Sequence, residues 1–293
     1  MSKKYLVYLG CVIPYRLSSY EISARKVLDK LGVELVEMPE FNCCGLPLEP
    51  LSHEIMLILS ARNLAVAEQT GLNILALCPG CAGTLKKTRR ALKENKALRE
   101  EINDHMRKTG LEFKEGTEVK HISQVMIEDI GIDNIRRAIT RPLKNLRVAG
   151  HSGCHLSRPR KYIGFEDPEN PRALKMLISA TGAKSVEYLG ETECCGSTVA
   201  ALDEKISLSL VREKLVHVKE AGADALITIC PGCHIMYDAN QLRAERMFGE
   251  KYDIPVLHYT QLLGLAMGMN PEEIGFEELR VKPTKILKKI LST

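Results

Sequence analysis

The sequence predicts an α/β protein built from two similar halves, each with a parallel sheet. Three observations point there. Short apolar runs alternate with longer helical stretches along the chain, the order of strand and helix in layered parallel folds. The same series of segments occurs twice. Each series carries five cysteines, and these fall just after apolar runs, where open parallel sheets build their sites.

The first series opens with Tyr5-Leu6-Val7-Tyr8-Leu9-Gly10-Cys11, read as a strand ending on a cysteine. A helix is expected from about Tyr20 to Leu31, stopped by Gly32. Then come a short strand, Val33 to Val36, the turn Cys43-Cys44-Gly45 and a helix from about His53 to Gln69. The strand Asn73 to Leu77 runs into Cys78-Pro79-Gly80-Cys81, followed by one long charged helical segment from Gly83 to about Lys108. The second series repeats this order. A strand from Leu146 leads to Cys154, a helix from about Pro171 to Thr181 follows, and Ser185 to Leu189 leads to Cys194-Cys195-Gly196. A helix from about Asp203 to Glu220 and the strand Ala225 to Ile229 then reach Cys230-Pro231-Gly232-Cys233. The endings match too, Val119 to Val125 against Val256 to Leu262, with Ser123 or Thr260 placed to cap the next helix. The expectation is two pseudo-symmetric Rossmann-like domains, 1–143 and 144–293, whose sites face each other across a pseudo-twofold axis.

Composition limits the function classes. The chain has 293 residues, 45% hydrophobic and 27% charged, enough for a sizeable core. A net charge of +4, no tryptophan and 5% aromatics speak against a nucleic-acid platform. No uncharged apolar stretch, Leu262 to Met269 among them, approaches the length of a membrane span. The N-terminal segment lacks a signal-peptide pattern and reads as a first strand, so a cytoplasmic protein is expected. Ten cysteines in such a chain point to metal or redox chemistry more than to disulfides.

The spacing of those cysteines is the most specific signal. In the first series 31 residues separate Cys11 from the Cys43-Cys44 pair, and 33 more lead to Cys78-x-x-Cys81. In the second, 39 and 34 residues separate Cys154, Cys194-Cys195 and Cys230-x-x-Cys233. Adjacent cysteines close a disulfide only with strain, and five per half would leave an orphan. A thioredoxin-like motif explains two thiols and not the rest. Tetrahedral zinc and an ordinary cubane each take four ligands, whereas five soft thiolates suit an iron–sulfur cluster with an unusual core or a bridging thiolate. Zinc in one repeat and a structural role stay open on spacing alone. Gly45, Gly80, Gly196 and Gly232 would let backbone approach sulfur or take positive φ, and Pro79 and Pro231 suit helix starts.

Two CCG turns, each paired with a CPGC turn, resemble the twin cysteine-rich domains of the B subunit of heterodisulfide reductase, as do Gly10-Cys11-Val12-Ile13-Pro14-Tyr15-Arg16 and His258 to Leu265. The resemblance covers essentially the whole chain. It implies a noncubane [4Fe-4S] cluster in each half, the two flanking a disulfide between coenzyme M and coenzyme B. Cys11, Cys43, Cys44, Cys78 and Cys81 would hold one cluster; Cys154, Cys194, Cys195, Cys230 and Cys233 would hold the other. It further implies an electron-bifurcating complex of methanogenesis, with electrons from a ferredoxin-like subunit carrying cubane clusters and fed by a flavin-containing subunit. The same domain occurs in glycolate- and lactate-oxidising systems, where it would be a non-catalytic electron conduit, and in thiol-linked fumarate reductases. The chain itself has no dinucleotide or Walker fingerprint and no ferredoxin cysteine run.

Weaker signals surround the thiols. A substrate of anionic coenzymes calls for basic contacts, and Arg16, Lys86, Lys87, Arg158, Arg160 and Lys161 follow ligand cysteines closely. Solvated faces would account for them equally. His155 and His234 each follow a cysteine directly, and His151 lies three before one; His155 and His234 are candidate proton donors, though histidines so placed more ordinarily hydrogen-bond cluster sulfur or backbone. His121 and His258 hold matching repeat positions and read as structural.

Overall fold

The computed structural model describes residues 3–291 and contains two four-stranded parallel sheets. The first is ordered β2-β1-β3-β4, from β1 (Lys3–Tyr8), β2 (Val33–Val36), β3 (Ile74–Ala76) and β4 (Val119–His121). The second has the same order, β6-β5-β7-β8, from β5 (Arg147–His151), β6 (Lys184–Val186), β7 (Ala225–Thr228) and β8 (Val256–His258). Register repeats as well: Leu6 lies beside Ile74, and Ala149 beside Leu226. The α/β class and the duplication therefore stand as expected. Met1 and Ser2, at the start of the first expected strand, lie outside the described residues.

The central strands β1, β3, β5 and β7 are buried on both faces over most of their length, as inner parallel strands are, and their outer and inner faces do different work. The outer face of the first sheet packs on α2 (His53–Glu68), α3 (Pro79–Glu94) and α4 (Lys96–Arg107). The second sheet does the same with α6 (Glu204–Glu220), α7 (Pro231–Asp238) and α8 (Gln241–Phe248). The inner faces meet in one core shared by both halves, including Ile13, Leu28, Leu77, Ile227, Leu257 and Leu262. Here α1 (Ser18–Lys30) runs along α9 (Tyr259–Ala266), and the segment after β4 packs on α5 (Ala173–Ala180), so each half lends the same kind of surface to the other. The rings of Tyr20, His258 and His234 stack in series at 3.9 Å across this seam. Ser23 and Thr260 hydroxyls share a buried hydrogen bond of 2.7 Å nearby. Each fully buried aliphatic chain contributes about 1.5–3 kcal/mol. The exposed Lys26–Glu273 pair that also crosses the seam, at 3.5 Å, contributes about 0–1 kcal/mol. The apolar core fixes the halves against each other.

Three local expectations change. The long charged segment is two helices, because Asn95 leaves helical geometry and its side-chain oxygen caps the second by accepting the Leu98 N–H at 3.1 Å. The caps after β4 and β8 are His121 and His258 rather than Ser123 or Thr260. Strand β6 ends at Val186, since the chain turns so that the Tyr188 hydroxyl can donate to the Gly150 carbonyl at 2.9 Å.

Candidate metal centre

In each sheet the first and third strands in sequence are neighbours, and the connections from them leave in opposite directions. A crevice opens at such a switch point, outside the carboxyl ends of the strands. Cys11 follows β1 and Cys78-Pro79-Gly80-Cys81 follows β3, so both flank the crevice of the first sheet. Cys154 and Cys230 to Cys233 do the same after β5 and β7. Pro79 and Pro231 open α3 and α7, where a missing N–H costs nothing, and they aim the helix starts at the sulfurs.

The paired cysteines are brought in by a tight turn after β2 and β6. Gly45 has φ +87°, and a Cβ there would lie 2.9 Å from the Met56 Cα on α2. Gly196 has φ +80°, with the Ser207 carbonyl oxygen 3.0 Å from the same place. Only glycine lets the turn press so closely on the helix. The N–H of each of these glycines then donates to the sulfur of the first cysteine of the pair, at 3.5 Å to Cys43 and 3.4 Å to Cys194. Gly80 and Gly232 are helical rather than at positive φ, and serve the other expected way, by letting backbone come close to sulfur. A Cβ on Gly80 would stand 3.6 Å from Cys78 Sγ and 3.5 Å from His155 Nδ1.

All ten cysteines are free thiols. Within each half the sulfurs touch in series. Cys43 Sγ lies 3.8 Å from Cys11 Sγ, and hydrogen bonds from Cys43 and Cys81 hold Cys44 low, at about 3. In the second half Cys154 and Cys195 do the same for Cys194, pulling it to about 2. Hydrogen bonding to Cys194 in turn pushes Cys195 up to about 12. Among the described residues no three such groups close on the point a single ion would occupy. Five soft donors strung sulfur to sulfur fit an assembly of several irons, each thiolate taking its own centre, and fit it by donor chemistry and number.

The two sets open on one cleft of about 230 Å³, lined by every cysteine except Cys43 and Cys44. Its walls are unequal. The first half contributes Val12, Leu46 and Pro47, whereas the second contributes His155, Ser197 and Thr198. Among the described residues no arginine or lysine lines it.

The remaining candidates are dispersed. Arg16 faces a separate groove with His234, Asp238 and Arg280. Lys86 donates to Gln124 Oε1 at 2.7 Å and to the Ile163 carbonyl at 3.3 Å, and burial lowers its pKa to about 8. Lys87 pairs with Glu49. Arg158 donates to the Pro168 carbonyl at 2.9 Å, Arg160 is exposed, and the Lys161 ammonium sits 5.6 Å from the Tyr162 ring. His155 reaches the cleft; His234 does not. His234 is stacked on His258 and kept neutral by burial, which pushes it to about 3. Three residues given no site role on sequence grounds sit buried behind the cysteine pairs: Tyr8 and Asn63 in the first half, and Lys214 in the second, beside His151. Aligning the repeats on their cysteines finds them, since Tyr8 and His151 lie three before Cys11 and Cys154, and Asn63 and Lys214 nineteen after Cys44 and Cys195.

Twin α/β halves with a CCG turn on each define a CCG cysteine-rich domain protein, and the CCG cysteine-rich domain family matches residues 5–86 and 148–238. The chain is 36% identical over 291 residues to the B subunit of the ferredoxin/F(420)H(2)-dependent CoB-CoM heterodisulfide reductase of Methanosarcina acetivorans, covering 98% of this chain and 97% of that one. It belongs to the family of heterodisulfide reductase B subunits. It is also 29% identical over 290 residues to the 8-methylmenaquinol:fumarate reductase membrane anchor subunit of Wolinella succinogenes, covering 98% and 100%. Among the described residues of this chain no helix is long and apolar enough to cross a membrane. A hypothetical protein from Helicobacter pylori shares the fold at TM-score 0.77 and 17% identity, over 96% of this chain and 52% of that one.

Proposed function

We propose that this chain is the disulfide-cleaving subunit of a heterodisulfide reductase, with one noncubane [4Fe-4S] cluster in each half, 1–143 and 144–293. Cys11, Cys43, Cys44, Cys78 and Cys81 would hold the first, and Cys154, Cys194, Cys195, Cys230 and Cys233 the second. The observation that carries this is that thiols of both halves, Cys11, Cys78 and Cys81 from the first and all five of the second, line a single cleft, with Cys43 and Cys44 joined to the first group through sulfur contacts. When bound, the clusters supply one electron each, so the pair meets the two-electron demand of one S–S bond. The balance is RS–SR′ plus two electrons and two protons, giving RSH and R′SH. The cleft's unequal walls suit an unsymmetrical disulfide such as that of coenzyme M and coenzyme B. Val12, Leu46 and Pro47 exclude water on one side. On the other, Ser197 and Thr198 offer hydroxyl hydrogen bonds, and His155 is placed to hand a proton to a departing thiolate. With every cysteine engaged as a ligand, no protein thiolate remains for thiol–disulfide exchange. Electrons would come from a ferredoxin-like subunit coupled to a flavin-containing one.

The test is turnover of the heterodisulfide by anaerobic, cluster-replete protein with reduced viologen as donor. Two thiols should appear for every two viologens oxidised. His155→Ala should lower kcat about 10²-fold with KM little changed, and viologen should still reduce the clusters at the wild-type rate. One observation favours a second reading, a non-catalytic conduit in a hydroxyacid-oxidising complex: among the described residues no lysine or arginine lines the cleft to pair with an anionic coenzyme. Replete protein that accepts electrons and leaves the heterodisulfide intact would support the conduit and overturn the first proposal.

A further inference from the structure

The two cysteine sets are near copies, but their surroundings carry different charge. Behind the first pair, Asn63 is a neutral clamp. Its Nδ2 donates to Asn42 Oδ1 at 2.8 Å and to the Cys43 carbonyl at 3.2 Å, while its Oδ1 accepts the Asn42 N–H at 2.9 Å. Tyr8 completes this arrangement by donating to the Asn42 carbonyl at 2.6 Å. At the matching position behind the second pair stands Lys214, only 2% exposed. Its ammonium donates to the Gly190 carbonyl and lies 5.3 Å from the face of the Tyr188 ring. Cys233 and Cys195 are among the groups that feel its charge.

Nearby carboxylates, Glu193 and Glu191, offset that charge only in part. Glu191 is taken up by Lys175 at 3.0 Å. Glu193 is exposed, so water and salt screen it, whereas a buried cation is screened much less. Among the described residues Lys214 forms no ion pair. Beside it His151 is buried edge-on to Tyr237 at 5.0 Å and is held neutral by burial, its pKa pushed to about 3. Directly behind the two cysteine pairs, the difference in charge is one buried ammonium in place of one amide.

We propose that Lys214 is a redox-tuning residue that makes the second-half cluster the more easily reduced of the two, so that it takes the first electron. This rests on the two-cluster reading above. Uptake of one electron from a one-electron donor adds a unit of negative charge to a cluster and transfers no proton. A buried cation stabilises the reduced form over the oxidised one, and net charge and hydrogen bonding around the sulfurs are established determinants of cluster potential. Asn63 has no comparable effect on the first cluster.

The experiment is a mediated dithionite titration of the full chain, followed by electron paramagnetic resonance, with Cys154→Ser marking the second-half signal by altering it. In the wild type the second-half signal should appear at the higher potential. Lys214→Met, which keeps the bulk of the stem and removes the charge, should lower that potential by at least about 59 mV, a tenfold change in a one-electron equilibrium constant, and leave the first-half signal in place. Lys214→Arg should restore it, which a purely structural role for the lysine would not require. A wild-type second-half signal at the lower potential would overturn the proposal without any variant. So would equal shifts of both signals, or none, in Lys214→Met. An iron count short of two clusters in the wild type would fell the two-cluster reading first, before any titration.

Discussion

Cys195→Ser should strip the protein of about four iron atoms, one cluster's worth, and abolish heterodisulfide turnover. Cys195 is only 5% exposed and sits between Cys194 and Cys233 in the series of sulfurs, so no other thiol can take its place. Serine keeps the volume roughly but offers a hard hydroxyl where iron–sulfur chemistry wants a soft thiolate. Because the halves have separate outer cores, the first set should keep its iron and remain reducible by viologen. Cys44→Ser should give the mirror result. Iron analysis beside the thiol-release assay checks both, and an undiminished iron content in either variant would remove that cysteine from the ligand set.

Gly45→Ala should be the most damaging single methyl in the first half. A left-handed backbone costs a non-glycine residue about 1–2 kcal/mol, and forcing a methyl into a packed site adds about 1–3 kcal/mol. The added Cβ would meet backbone, 2.9 Å from Met56 Cα and 3.0 Å from its carbonyl oxygen, and α2 cannot swing that aside as a side chain could. Denaturant midpoints should therefore fall by the equivalent of about 2–5 kcal/mol. The turn would also withdraw its N–H from Cys43, so the first cluster should assemble poorly even where the fold survives. By contrast Gly32→Ala, also at positive φ but with nothing within 4 Å, should cost only the backbone strain.

Much of this architecture was legible in the residues because its signals are local. Apolar runs such as Tyr5 to Leu9 end on their cysteines, and Gly45 and Gly196 are demanded by turns whose φ a side chain rarely adopts. The class, the duplication and the convergence of two thiol sets follow from that. What escaped depends on tertiary contact. Asn95 divides a stretch whose charged helical pattern runs straight through the break, since a cap is a single side-chain bond. Proximity in sequence misled for the basic residues: Lys86 follows Cys81 by one helical turn and a fraction, yet its side chain reaches Gln124 and Ile163 rather than the cleft. Lys214 gave the opposite lesson. It looks like any charged position on an exposed helix, and only superposing one repeat on the other shows it standing where the first half keeps an asparagine.

The most direct test of the whole assignment is the metal content of the wild-type chain. Protein purified without oxygen should be brown and carry about eight iron atoms with acid-labile sulfide, two clusters per chain. Colourless, zinc-loaded protein without sulfide, or native disulfides among these ten thiols, would contradict it.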